Sequence, residues 1–147
     1  MVHALDEIRR TLKPNGILLD LRPVEENWPV EVVSTGSTQG NASTGYQLAG
    51  RLTDLPIAVA DDEAAFHAMR EVESRRWYIK EKEDEFSFFY YWDTPSEMKE
   101  FMDEEWEGFE KLEESVFSAV KSAWTVANAD ARVRVRVKML ITKWISC

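Results

Sequence analysis

Cysteine and histidine are almost missing from this chain: there is one thiol, Cys147, and the only histidines are His3 and His67. A single thiol excludes an intrachain disulfide, and neither histidine has a partner at ligand spacing, so no metal site is expected. Glycine is sparse as well. Gly36, Gly40 and Gly45 are too widely spaced for a phosphate cradle and precede no helical pattern. There is no Gly-x-Ser-x-Gly elbow. Acidic clusters such as Asp84-Glu85, Asp103-Glu104-Glu105 and Glu113-Glu114 read as solvated faces, with no pair set apart as general acid and base. No catalytic residue is therefore assigned. Positive charge is in short supply, with 18 Lys and Arg against 27 Asp and Glu and a net charge of −9. That argues against a nucleic-acid backbone or an anionic membrane as partner. No apolar run approaches the ~20 residues of a membrane span. The opening Met1-Val-His-Ala-Leu-Asp-Glu7 holds no apolar leader core, and a cytoplasmic protein is expected.

What is present is enough for a folded domain: 147 residues, 44% hydrophobic and 31% charged. Leu5, Ile8 and Leu12 recur at helical spacing, and Pro14-Asn15-Gly16 stops that helix with residues suited to a turn. Ile17-Leu-Leu-Asp-Leu21 then reads as a central strand with both faces covered. Val30–Val33 and Tyr46–Thr53 read as strands of an antiparallel hairpin. Between them lies a Ser/Thr/Gly stretch, 34–45, expected to be a mobile loop. Asp61-Asp62-Glu63 places acids suited to the opening of a helix that carries Phe66, Met69 and Val72. Tyr78–Trp92 reads as a long strand, charged in its first half and aromatic in its second. Thr94-Pro-Ser-Glu97 has the pattern of a capping box, with Met98, Phe101, Met102, Trp106 and Phe109 as the buried stripe behind it. A further helix carries Leu112, Val116, Val120, Ala123 and Trp124. The chain ends on Arg132-Val-Arg-Val-Arg-Val-Lys138 and Met139–Ile145, an alternating strand. The reading is a single α+β domain over 1–147, with a mixed, largely antiparallel sheet of about five strands and three to four helices.

Two groups of residues could do more than fold. Phe88–Trp92 and Asp93, with Arg22 and Trp28 at strand ends, could line a concave site, giving Arg22, Trp28, Tyr90, Trp92 and Asp93 as a candidate ligand pocket. The competing reading is that these rings fill the core. Arg132, Arg134, Arg136 and Lys138 share one face of a strand, and Glu81, Glu83 and Glu85 repeat with the same period. Cross-strand ion pairs between the two rows would fix their register.

The segment Ala4-Leu-Asp-Glu-Ile-Arg-Arg-Thr-Leu-Lys-Pro-Asn-Gly16, running into Ile17–Pro23, resembles a passage in class I S-adenosylmethionine-dependent methyltransferases. There a helix, a Leu-Lys-Pro-Gly-Gly turn and the fifth sheet strand follow one another. Asn15 stands where that family more often has glycine. Tyr90–Phe101 is similar to the family's later strand-then-helix passage, and Ala131–Trp144 to its last antiparallel strand. The resemblance implies the C-terminal half of that fold, with Val30–Thr53 as an insertion. The family's glycine-rich turn after its first strand and acid at the end of its second do not precede Ala4, so the resemblance implies no cofactor for the isolated chain. It implies a non-catalytic binding or assembly protein. In the full fold a fourth strand flanks the Ile17–Leu21 segment. Without it, Ile17, Leu19 and Leu21 form a candidate oligomer edge, covered by the inserted hairpin, a second copy or a protein partner. The alternatives are a small-molecule-binding protein or enzyme with an aromatic pocket, or a methyltransferase completed by a separate subunit.

Overall fold

A computed structural model describes residues 1–34 and 45–147, so the stretch expected as a mobile loop falls, apart from its ends, outside the described residues. In chain order the elements are α1 (Val2–Thr11), β1 (Ile17–Pro23), β2 (Pro29–Val33), β3 (Tyr46–Arg51), β4 (Thr53–Asp54), α2 (Pro56–Ser74), β5 (Tyr78–Trp92), α3 (Pro95–Glu105), β6 (Glu110–Lys111), α4 (Glu114–Val126) and β7 (Arg132–Ser146). A mostly antiparallel sheet of five strands runs in the order β1-β7-β2-β3, with β5 also paired to β7. β4 and β6 form a separate two-stranded ladder. The fold is α+β. Its contacts divide the chain into two compact units. The first comprises Met1–Val24, Val59–Phe86 and Lys138–Cys147, the second Glu25–Ala58 and Ser87–Val137.

In the first unit α1 buries Leu5 and keeps its acids and arginines in solvent, where Asp6–Arg9 and Glu7–Arg10 pair one turn apart, each at 3.0 Å. The turn after it divides its labour. Asn15 takes the left-handed conformation at φ 61°. A Cβ on residue 16 would come within 2.8 Å of the Lys13 carbonyl oxygen, which is why glycine stands there. β1 then pairs antiparallel with β7 in the register Ile17↔Ile145, Leu19↔Lys143, Leu21↔Ile141. The core of this unit is Leu5, Ala68, Met69, Val72, Tyr78 and Trp144, flanked by Val2, Leu12, Leu18 and Trp77. The sequence marked β1 as central and covered on both faces. It is an edge strand, and Ile17, Leu19 and Leu21 are exposed. A mainly apolar run cannot say which neighbours the topology will supply.

Two further expectations change. α2 opens at Pro56 rather than at Asp61, because Pro fits a first helical position and Ile57-Ala-Val-Ala60 continues the helix. The three acids therefore sit beyond its first turn. The helix closes with Arg76 at φ 58°, Arg76 N–H donating to Glu73 O and Trp77 N–H to Val72 O. The expected third strand, Tyr46–Thr53, is also divided, since β3 ends at Arg51 and Thr53 joins the β4–β6 ladder.

In the second unit β2 pairs with β3 on one side and with β7 on the other. Its core holds Val30, Val32, Leu52, Met98, Met102, Val120, Val133, Val135 and Val137. α3 starts as its residues dictate: the Thr94 hydroxyl accepts from Glu97 N–H at 3.2 Å. Glu97 reaches back to Asp93 N–H at 3.1 Å, one residue before the capping box would place it. Met98 and Met102 are buried, whereas Phe109, expected in the same stripe, is exposed beyond the helix end. α4 packs on β2, β3 and α3. At its contact with β3 the fit is tight, because a Cβ on residue 50 would lie 2.8 Å from Val116 Cγ1. Gly50→Ala should therefore destabilise the protein by about 1–3 kcal/mol, read as a lower urea midpoint. An unchanged midpoint would mean that this packing is looser than described.

Along β7 the buried positions change parity. Val133, Val135 and Val137 are buried in the second unit, and Thr142, Trp144 and Ser146 in the first. The ion pairs follow that division rather than the two rows read from the sequence. Lys138–Glu85 forms at 2.6 Å and Lys143 pairs with Glu81. Arg132 meets Asp93 at 2.9 Å, and Arg134 and Arg136 both turn to Glu31 on β2. The charge rows do meet across β5 and β7, but only in part.

Candidate functional site

Trp28, Tyr90 and Trp92 come together in the second unit. Alternation puts Tyr90 and Trp92 on the same face of β5, and α3 with the turn after it brings up Phe101 and Trp106. Tyr90 lies 5.0 Å from Trp106 and 6.1 Å from Trp92, Trp28 lies 5.5 Å from Trp106, and Trp92 lies 5.4 Å from Phe101, all between ring centres. These are the distances of rings packed on one another. The Trp28 indole N–H donates to the Glu25 carbonyl at 2.7 Å. Three of the five candidate pocket residues thus pack their rings into a shared, half-buried aromatic cluster. Asp93 is exposed and pairs with Arg132. Arg22 belongs to the first unit, buried beside Asp20 with its guanidinium 4.7 Å from the Phe66 ring centre.

The other face of β5 carries a charged cluster that the sequence did not suggest. Glu31 is fully buried, yet both its oxygens are matched: Arg134 Nε donates at 2.6 Å and Arg136 Nε at 3.1 Å. The Arg134 guanidinium lies between aromatic faces, 4.9 Å from Tyr46 and 4.5 Å from Phe89, and its Nη1 reaches the Tyr91 hydroxyl at 3.4 Å. Burial works against its charge. The hydrogen bonds that Arg134 donates to Tyr91 and Glu31 and the attraction of the carboxylate outweigh it, so the Arg134 pKa is raised. Both Glu31 oxygens are thus committed to arginine donors. A signal was available: one acid inside the apolar run Val30-Glu-Val-Val33 needs a cationic partner.

The Ile17–Leu21 row occupies a different surface. Ile17 is 53%, Leu19 61% and Leu21 56% exposed. Their partners across the ladder, Ile145, Lys143 and Ile141, share that face, with Ile141 and Ile145 half-buried. Glu81 reaches Lys143 from β5, which places Ile79, two residues before it and 60% exposed, on the same side. Six apolar residues on three adjacent strands of the first unit thus form one uncovered patch. The signal missed was the odd-numbered series Ile141 and Ile145, continuing the face of the terminal strand.

Among the described residues no group of three or more His, Cys, Asp or Glu is placed to hold a metal ion. No described helix is long and apolar enough to cross a membrane. No protein-family model, curated protein or solved structure matches this chain.

Proposed function

We propose that this chain is a non-catalytic binding or assembly module, related to the C-terminal half of the class I methyltransferase fold, that associates with a second copy of itself through β1 and the apolar face beside it. The observation that carries this reading is the exposed row Ile17, Leu19 and Leu21, extended by Ile79, Ile141 and Ile145. A contiguous apolar patch of this kind marks an association surface. Charge favours a second copy as the occupant. The ionisable side chains in the patch are Lys143 and Glu81, which pair with each other, so this face is neutral in a chain of net charge −9. Two copies meeting there avoid the repulsion that their acidic surfaces would otherwise impose. The free edge of β1 adds unpaired backbone groups at the rim of the patch. Support for the methyltransferase relation is the order of elements: α1, a tight turn and β1 open the chain, and β7 closes it antiparallel to β1.

Leu19→Asp tests the reading. The position is exposed, so in an isolated chain the change should alter stability by no more than about 0.5 kcal/mol. In a dimer it buries a charge without a partner and should weaken association by about 2–3 kcal/mol, or roughly thirty- to a hundredfold. Light scattering should report dimers for the parent chain and monomers for the variant. Identical masses for the two at every concentration would contradict the proposal.

A further inference from the structure

One sheet face in the second unit presents aromatic rings and free carboxylates together. Phe88, Tyr90 and Trp92 share that face of β5, and Phe101, Trp106 and Trp28 join them. Phe88 lies 5.1 Å from Tyr90, and Trp106 lies 5.0 Å from Tyr90 and 5.5 Å from both Phe101 and Trp28. Phe88 is 46% exposed and the other five are half-buried, so the cluster is open to solvent. Acids rim it on the α3 side. Glu104 and Glu105 follow Phe101 by one helical turn and stand on its side of α3, and Glu107 follows Trp106 directly. All three are exposed, and among the described residues their carboxylates have no ion-pair or hydrogen-bond partner. Glu104 and Glu105 also occupy the last turn of α3, where the helix dipole disfavours negative charge. No contact within the fold offsets that placement.

The opposite face of the same strand shows what matches rings and carboxylates at once. There Arg134 lies 4.5 Å from the Phe89 ring centre and donates to Glu31, while Arg132 lies 5.1 Å from Tyr91 and pairs with Asp93. A guanidinium sets its flat face on a ring and its edge on a carboxylate, which the point charge of a lysine does not. Among the described residues no arginine or lysine lies over Trp28, Phe88, Tyr90, Trp92, Phe101 or Trp106. We infer that this face docks an arginine-bearing segment of a protein partner, its guanidinium groups stacked on the rings and paired with Glu104, Glu105 and Glu107. A second copy would bring like charge to the acidic rim, since each chain carries −9. The inference does not rest on association through β1.

The test is a titration of the ¹⁵N-labelled full chain with the end-capped peptide Gly-Arg-Gly-Arg-Gly-Arg-Gly, followed through the assigned tryptophan indole N–H resonances. Those of Trp28, Trp92 and Trp106 should move saturably, while those of Trp77 and Trp144 stay in place. Citrulline in place of arginine keeps the shape, loses the charge and should weaken binding at least about tenfold. Lysine in place of arginine should weaken it about threefold. Glu104→Gln with Glu105→Gln and Glu107→Gln should weaken the arginine peptide about tenfold with no loss of folding stability. Asp61→Asn with Glu63→Gln and Glu73→Gln changes the net charge equally and should leave binding within about twofold. Trp92 and Trp106 resonances that stay still overturn the inference, and a lysine peptide that binds as tightly overturns the choice of arginine. Three further results also overturn it: a citrulline peptide as tight as the arginine one, equal losses from the two triple variants, or an affinity that falls as the chain is concentrated, which would place a second copy on the face.

Discussion

Glu31→Ala should cost about 3–5 kcal/mol of folding stability. The carboxylate is fully buried and accepts from Arg134 Nε at 2.6 Å and Arg136 Nε at 3.1 Å. Truncation leaves two guanidinium groups without their anion on the strand that organises the second unit. Arg134 cannot escape by losing its proton, because its pKa is raised above the already high value usual for arginine. It also cannot turn out to water without leaving Tyr46 and Phe89. Urea unfolding followed by far-UV circular dichroism measures the loss. The same physics predicts the opposite for a concerted change. Glu31→Leu with Arg134→Met and Arg136→Met removes every charge and retains the stems, and should come within about 1 kcal/mol of the parent or exceed it. A Glu31→Ala variant as stable as the parent would mean that the two arginines need no anion.

The second large effect belongs to Tyr78, which is fully buried in the core of the first unit, its hydroxyl donating to the Leu5 carbonyl at 2.9 Å. Tyr78→Ala should cost about 3–5 kcal/mol through the cavity it leaves. Tyr78→Phe keeps the ring and loses one hydrogen bond, worth about 0.5–1.5 kcal/mol. The residue also gives the fold an alkaline limit. Burial raises its pKa above the usual 10.0; nearby Arg9 opposes the shift and Asp6 adds to it. A group whose folded pKa lies above its unfolded one contributes its full stabilisation below the unfolded value and loses it as pH climbs through the folded one. The stability difference between the parent chain and Tyr78→Phe should therefore be constant from neutral pH to about 10 and shrink above it. A difference that widens above that pH would reverse the sign argued here.

Several of these features were legible in the residues themselves. Thr94-Pro-Ser-Glu97 starts α3 as its capping chemistry requires, and the Val–Arg alternation of β7 is a strand in both readings. Local rules sufficed there, because the partners lie within four residues. Glu31 escaped because its partners are more than a hundred residues away on β7, and no local pattern names the strand that will lie beside it. β1 was legible as a strand from Ile17-Leu-Leu-Asp-Leu21, but its residues alone read as a central strand, and only the family resemblance pointed to an edge. The pocket residues divided for a related reason: an aromatic run reads alike whether its rings line a cavity or fill one. Contacts to Phe101 and Trp106, set by the placement of α3, gather Trp28, Tyr90 and Trp92 into one half-buried ring cluster. Arg22 had no aromatic run around it and owes its burial to Asp20 two residues before it and to α2.

The apolar face of β1 carries the functional account, and the mass of the parent chain in solution tests it most directly. Sedimentation equilibrium at micromolar concentration should give twice the 17.0 kDa of one chain, with dissociation on dilution. A mass of 17.0 kDa across the whole concentration range, with Ile17, Leu19 and Leu21 still in water, would contradict it.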